Sequence, residues 1–438
     1  MKLSKTIMVV LICLYLCIYV PPVASAEETS QYDGTTAQVN SFPSYYNVYE
    51  NGRLPAVRNQ EPYDTCWAYG TIAAVEADLI HDGNASTDID LSELHLVYFN
   101  YHDFYDEKGC NSGDHINPSK DDYLNTGGYL GHAAMTLANM LGPVWEDDAP
   151  YSQAASYAPD SVNGRTGVFQ ITGAYMMDIY DRDAVKAAIL DHGAVSAAYR
   201  SDVDYYSETY NSFYYPDATS CNHVITLVGW DDEFSQDHFV RGTPEGNGAW
   251  LVRNSFGVNG YGYNGYFWIS YYDKSFEQTA YAYDVQGWRY DHCYAYDNCP
   301  STGYWYYYNC NSASQIFRVD GGEQVEAIGF YTEYPQVDLL FTLSCGDQTT
   351  AMEATVDYPG FYVFPLPESF PIRTTAEVTV DCTFINTTDS EHFFYTEYDG
   401  SYHEIIFTPS CESGGLSIND NIVSYDGRVK LFTNDMSE

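Results

Sequence analysis

The chain has 438 residues, enough for two domains with cores of ordinary size, and a globular composition with an unusual load of 45 tyrosines. Aspartate and glutamate number 61 against 18 lysines and arginines, for a formal net charge of -43 at pH 7. That balance argues against nucleic acid and anionic membrane as partners and fits a soluble, self-repelling surface suited to acidic or salty surroundings.

From the N-terminus, Lys2 and Lys5, an apolar run from Ile7 to Val20, and Ala24, Ser25 and Ala26 read as a secretory signal over residues 1–26. The run is short for a membrane span, and an uncleaved anchor is the alternative. No later stretch is long and apolar enough to cross a bilayer, so the mature chain is expected to be secreted or surface-associated. Asn84 and Asn386 open glycosylation sequons that count only if the host glycosylates. Residues 27–41 are polar and read as a flexible leader. Of the 11 cysteines, Cys13 and Cys17 leave with the signal, and the odd remainder in an oxidising compartment points to one thiol left free.

Cys66 is the candidate for that thiol. Pro62 stands upstream in a loop, and Trp67 to Ile80 has small and apolar residues at helical spacing without proline, which places Cys66 at a helix N-terminus. Unpaired N–H groups and the positive end of the helix dipole there favour a thiolate. A second helix is expected from Ser92 as cap, with Leu94, Val97 and Tyr98 on its apolar face. Gly127 and Gly128 precede a third helix over 129–141, residues 143–180 look irregular, and 181–190 reads as a short amphipathic helix stopped by Gly193. Strands are expected at 194–199, from His223 to Gly229, at 249–254 and at 266–271. Cys221 and His223 share a strand face, so Cys221 either lines a pocket beside His223 or pairs with Cys110.

Gln60, five intervening residues, then Cys66-Trp67-Ala68 at a helix start resembles the active-site segment of papain-like cysteine peptidases. The segment from Asn222-His223-Val224 to Gly229-Trp230, and Asn254-Ser255, resemble the histidine and asparagine segments of that family. The resemblance implies an α+β, papain-like two-lobe fold, a helical lobe facing a β-barrel-like lobe. It also implies Cys66 as nucleophile, His223 as base, Asn254 as its orienter, and Gln60 with the Cys66 N–H as oxyanion donors. Asp64, Trp67, Gly127, Gly128, Cys221 and Val224 are then expected along the substrate cleft, and no metal or cofactor is called for. The chain departs from the family pattern at Glu61 and Asp64, where glycines are usual, and at Phe256, where tryptophan is usual. A carboxylate at 64 bears on cleavage preference more than on chemistry.

Beyond about residue 284 helical signals fade. Apolar runs at 314–319, 325–331, 339–343, 360–366, 376–380, 404–408 and 428–433, separated by turn residues, argue for an antiparallel β-sandwich. This stretch resembles the lectin-like β domain that follows the peptidase in certain secreted prokaryotic members of the family. Expected boundaries are 42–288 for the peptidase and 289–438 for the β domain. Six cysteines there, Cys293, Cys299, Cys310, Cys345, Cys382 and Cys411, are expected to form disulfides; Cys293 and Cys299 beside His292 lack zinc-knuckle spacing. The run Tyr304 to Tyr308 could stack on a cell-surface glycan or fill a strand or seam. The expected function is hydrolysis of peptide or protein substrates, with a spent, glycan-binding adhesin on the same scaffold as the competing reading.

Overall fold

The first strand, β1 (Tyr45–Asn47), leads through a loop to helix α1 (Cys66–His81), in which every residue from Trp67 to Leu79 is buried. A helix buried on all sides, even with Glu76 and Asp78 on it, belongs inside a domain. The computed structural model describes residues 42–102, 104, 108, 115–116, 122–157, 167–295, 304–305, 312–385, 396–397, 405–406, 416–418, 421–424 and 429–436. The expected signal and leader, Cys110, Cys299, Cys310, Cys411, the Asn386 sequon and Tyr306 to Tyr308 lie outside these residues.

Helix α2 (Glu93–Tyr101) starts where the serine cap predicts, with Ser92 Oγ accepting from the His95 N–H at 3.1 Å. Helix α3 (Leu130–Ala138) follows the glycine pair. The next element differs from expectation: Phe169–Asp178, inside the stretch read as irregular, is strand β2. Its hydrogen-bond partners come from strands more than a hundred residues away, a non-local stabilisation that local pattern does not report. Helix α4 (Arg182–His192) is capped by Asp181 and ends at Gly193, whose φ of +78° is the left-handed C-terminal stop.

Strands β3 (Val195–Tyr199), β4 (His223–Asp231), β5 (Ala249–Arg253), β6 (Tyr266–Ser270) and β7 (Thr279–Gly287) complete the first half. The second half contains β8 (His292–Tyr294), β9 (Ser312–Val319), β10 (Glu323–Thr332), β11 (Val337–Cys345), β12 (Gln348–Val356), β13 (Gly360–Ile372), β14 (Ala376–Phe384) and β15 (Val429–Asp435). One sheet has the order β8-β15-β10-β13-β2-β7-β3-β4-β5-β6 followed by two short strands, with β1 beside β4; a second runs β12-β11-β14-β9 and on to two short strands. Antiparallel pairing dominates both. The sandwich core between them is built from Phe317, Phe330, Phe341, Leu343, Val380 and Leu431, and β11 alternates buried and half-buried side chains as a one-sided strand must.

The two halves share a sheet, because β13 pairs with β2 through Gly360–Tyr175, Phe361–Ala174 and Tyr362–Gly173. Gly360 is required there: its φ is +141° and a Cβ would lie 2.1 Å from the Ala174 carbonyl oxygen. Buried Lys430 on β15 donates to Asn139 Oδ1, beyond α3, at 2.6 Å. Residues 43–438 accordingly form one compact unit.

The disulfide expectation needs correction at two positions, since Cys345 and Cys382 are free thiols. Strand register places Cys382 opposite Phe341, four residues along β11 from Cys345. At about 3.3 Å per residue that is roughly 13 Å, beyond the reach of a disulfide.

Candidate active site

The loop before α1 is pinned from below. Arg58 reaches Glu76 at 2.6 Å, Asp90 at 2.8 Å and Glu93 at 3.2 Å, with Glu76 and Glu93 buried. A cavity of about 10 Å³, room for one water, lies between Arg58, Glu93, Arg253 and Asn254. Above this network the Gln60 N–H donates to the Ser255 carbonyl at 2.8 Å, and Tyr151 OH bonds both the Gln60 carbonyl and Thr65 Oγ1 at 2.6 Å. The loop therefore arrives at Cys66 in one conformation.

Cys66 is half-buried at the first position of α1, and its sulfur takes hydrogen bonds from the backbone N–H groups of Val224 and Trp67. Burial nevertheless pushes the thiol up to about 11, those N–H groups lower it, and the Asp64 charge raises it further. The helix-start argument for a ready thiolate thus has the right sign for the N–H groups but is outweighed by desolvation.

His223 opens β4, one residue before the Val224 N–H that meets the sulfur. Its Nε2 lies 2.9 Å from Asn254 Oδ1, so Nδ1 is the ring nitrogen left to serve the sulfur. Among the described residues no Cys66–His223 hydrogen bond is formed. Phe256 stacks on the imidazole at 4.9 Å with planes 5° apart, covering the His–Asn contact as the expected aromatic at 256 would. Burial lowers the imidazole's affinity for a proton, and Asn254 offsets this in part. Asn254 Oδ1 also accepts from the Ser255 N–H at 2.9 Å. Gln60, Cys66, His223 and Asn254 are therefore brought to one place from a loop, a helix start and two strand ends.

The expected cleft residues divide. Gly127 has φ +86°, and a Cβ on Gly128 would stand 2.3 Å from the Trp67 ring, so the glycine pair is a bare backbone ledge laid on an indole. Trp67 itself is 1% exposed and edge-on to Tyr101, which makes it the support behind the ledge and corrects its placement as a cleft-facing residue. Val224 contributes its N–H to the sulfur while its side chain packs on Gly70. Asp64 is exposed, with its N–H bonded to the Leu124 carbonyl at 3.0 Å. Cys221 is a free thiol on Glu277.

Sequence reasoning missed Ser255, whose hydroxyl donates to Gln60 Oε1 at 2.7 Å, and Glu277; only adjacency to Asn254 could have pointed to the serine, and nothing local pointed to the glutamate. Two groups with metal-ligand chemistry occur among the described residues, His292 with Glu323 and Asp435, and Asp78 with Asp82 and Asp284; neither includes a residue of this site.

The sequence profile of the papain family cysteine proteases matches residues 42–285. Mouse cathepsin S is 27% identical over 225 residues, 50% of this chain and 56% of that protein, and a cysteine protease of Blomia tropicalis is 26% identical over 226 residues, 50% of this chain and 58% of that protein. The chain thus spans little more than half the length of these curated relatives. Among solved structures, the cysteine protease and lectin-like domains of Cwp84, a surface layer associated protein of Clostridium difficile, superpose with a TM-score of 0.73 at 22% identity, over 92% of this chain and 91% of that one. Clostridial Cwp84 after propeptide cleavage gives 0.74 at 22% identity, over 90% of this chain and 100% of that one. Both share the fold across the peptidase half and the β-sandwich. With the profile covering more than half of its residues, the chain belongs to the papain family of cysteine proteases.

Proposed function

We propose that this protein is a secreted cysteine peptidase that hydrolyses peptide bonds in peptide or protein substrates. Residues 42–288 carry the chemistry and 289–438 act as an accessory module for binding or targeting, in the way that Cwp84 is named as surface layer associated. The observation that carries the reading is the His223 Nε2 to Asn254 Oδ1 bond of 2.9 Å, roofed by Phe256, on the strand whose next N–H meets the Cys66 sulfur.

In this scheme the Cys66 proton passes to His223 Nδ1 and the sulfur attacks the substrate carbonyl. Neither ion is favoured alone in so buried a site, so thiolate and imidazolium form together as a mutually compensating pair. The Gln60 amide and the Cys66 N–H receive the negative oxygen. The imidazolium then protonates the leaving amine while Asn254 holds the ring, and a water, deprotonated by His223, releases the acyl group from sulfur. Retention of all four groups weighs against a spent adhesin.

The test is turnover of a fluorogenic peptide library by the full chain and by Cys66→Ala and His223→Ala variants. Turnover should fall to background in both; equal turnover in Cys66→Ala removes the proposal. Glycan binding by the accessory module is read separately, by array binding of the Cys66→Ala protein.

A further inference from the structure

The two halves of the chain each place a lysine in the other, and the two contacts bracket the glycine ledge along the sequence. Upstream of Gly127, Lys108 donates to Asp320 Oδ2 at 3.3 Å and to Glu323 Oε1, with its ammonium 5.3 Å from the centre of the Tyr294 ring. Glu323 is 3% exposed and also accepts from Tyr294 OH at 3.1 Å and from Thr433 Oγ1 at 2.6 Å. A carboxylate so far removed from water needs a countercharge, and its ammonium partner comes from the peptidase half.

In the other direction, buried Lys430 reaches Asn139, the residue that ends α3. A cation there meets the negative end of the helix dipole. Helix α3 opens at Leu130, just past the ledge, so one short rigid rod joins the Lys430 contact to Gly128. Between Lys108 and the ledge, the backbone of His115–Ile116 pairs antiparallel with Ile405–Ile406, a third grip from the second half. Glu323 and Lys430 lie on paired strands, β10 and β15, with Gly329 opposite Lys430 and Glu323 opposite Asp435. Two anchors on one sheet keep a fixed spacing, and the ledge is hung between them. From the peptidase side it is met by Tyr101 OH, which donates to the Gly127 carbonyl at 2.6 Å, and by the Trp67 ring under Gly128.

We propose that the β-sandwich positions the substrate ledge, with Lys108 and Lys430 as its positioning residues, so that the second half helps to build the peptide-binding cleft besides serving as an accessory module. This rests on the peptidase reading above. A peptide long enough to lie along Gly127 and Gly128 feels the two tethers; a substrate that ends at the scissile bond does not.

The experiment compares, on the full chain, an extended peptide amide with a single-residue activated ester, and follows alkylation of Cys66 by iodoacetamide and the thermal midpoint alongside. In Lys108→Met and in Lys430→Met, kcat/KM for the extended peptide should fall about tenfold, mostly through KM, the scale of one well-placed hydrogen bond. Ester turnover and alkylation should change less than about twofold, and Lys108→Arg, which keeps the charge, should retain the parent's peptide kinetics. Equal losses on both substrates, or a lowered thermal midpoint with peptide kinetics unchanged, overturns the proposal and leaves the lysines to stability alone. Should Lys430→Met fail to fold, Lys108→Met decides by the same comparison. A parent that turns over neither substrate and whose Cys66 is not labelled by a cysteine-directed epoxide would instead overturn the peptidase reading itself.

Discussion

Ser255 Oγ donates to Gln60 Oε1 at 2.7 Å, and through this bond the residue after the orienting asparagine also fixes the side chain proposed to receive the oxyanion. Gln60 Nε2 spends one hydrogen on the Tyr63 carbonyl at 2.8 Å, which leaves the other to aim at substrate. Ser255→Ala should therefore release the amide without removing it. Losing an oxyanion donor outright costs about 100-fold or more in kcat, so release should cost roughly tenfold with KM little changed. Steady-state kinetics on one peptide decide it; an unchanged kcat would remove Ser255 from the site.

Phe256 and His223 lie parallel at 4.9 Å. Phe256→Ala opens the His223–Asn254 bond to water and should lower kcat by about tenfold, whereas Phe256→Trp should keep most of it, since a ring of either kind covers the same contact. Equal losses in both variants would show that shape, not shielding, is what matters there.

Gly128 rests on the Trp67 indole, with 2.3 Å between a built Cβ and the ring. Gly128→Ala forces the indole or the ledge to move, and overpacking of this kind costs about 1–3 kcal/mol. The thermal midpoint should drop, and peptide turnover with it, because the displaced ring adjoins Cys66. Gly127→Ala meets no neighbour but loses its positive φ, and should cost about 1 kcal/mol.

Acidity should stabilise the folded chain. Burial raises Asp273 to about 6, Asp78 and Glu146 to about 7, and Glu93 to about 8. Each binds a proton more tightly folded than unfolded, so its contribution is fully present below the unfolded value near 4 and is lost as pH rises through 6 to 8. Buried His95 and His132, lowered to about 3 and about 4, act oppositely, favouring the fold as pH rises to about 6.5. Four carboxylates outweigh two histidines above about pH 5. The thermal midpoint should be higher at pH 5 than at pH 8, and scanning calorimetry at the two values checks the sign.

Legibility followed locality. Helix starts with side-chain caps, as at Ser92 and Asp181, and strands with one-sided alternation, as at Val337–Cys345, could be read from the chain. Strand β2 could not, because Phe169–Asp178 owes its form to β7 and β13. Strand β12 was also invisible: Met352, Ala354 and Val356 pack on the core, but the threonines, glutamate and glutamine around them leave the alternation too weak to announce it. Gln60, Cys66, His223 and Asn254, the residues proposed for the chemistry, were named from spacing and resemblance. The inward turn of Trp67 and the approach of Glu277 to Cys221 depend on tertiary contacts alone.

The central claim is that one sulfur performs the chemistry. The most direct measurement is peptide mapping by mass spectrometry after treating the full chain with a cysteine-directed epoxide. The account predicts a single adduct on Cys66, absent in His223→Ala, with loss of peptide turnover in step with labelling. An adduct on Cys221 or Cys345 with turnover intact, or complete modification of Cys66 without loss of turnover, would contradict it.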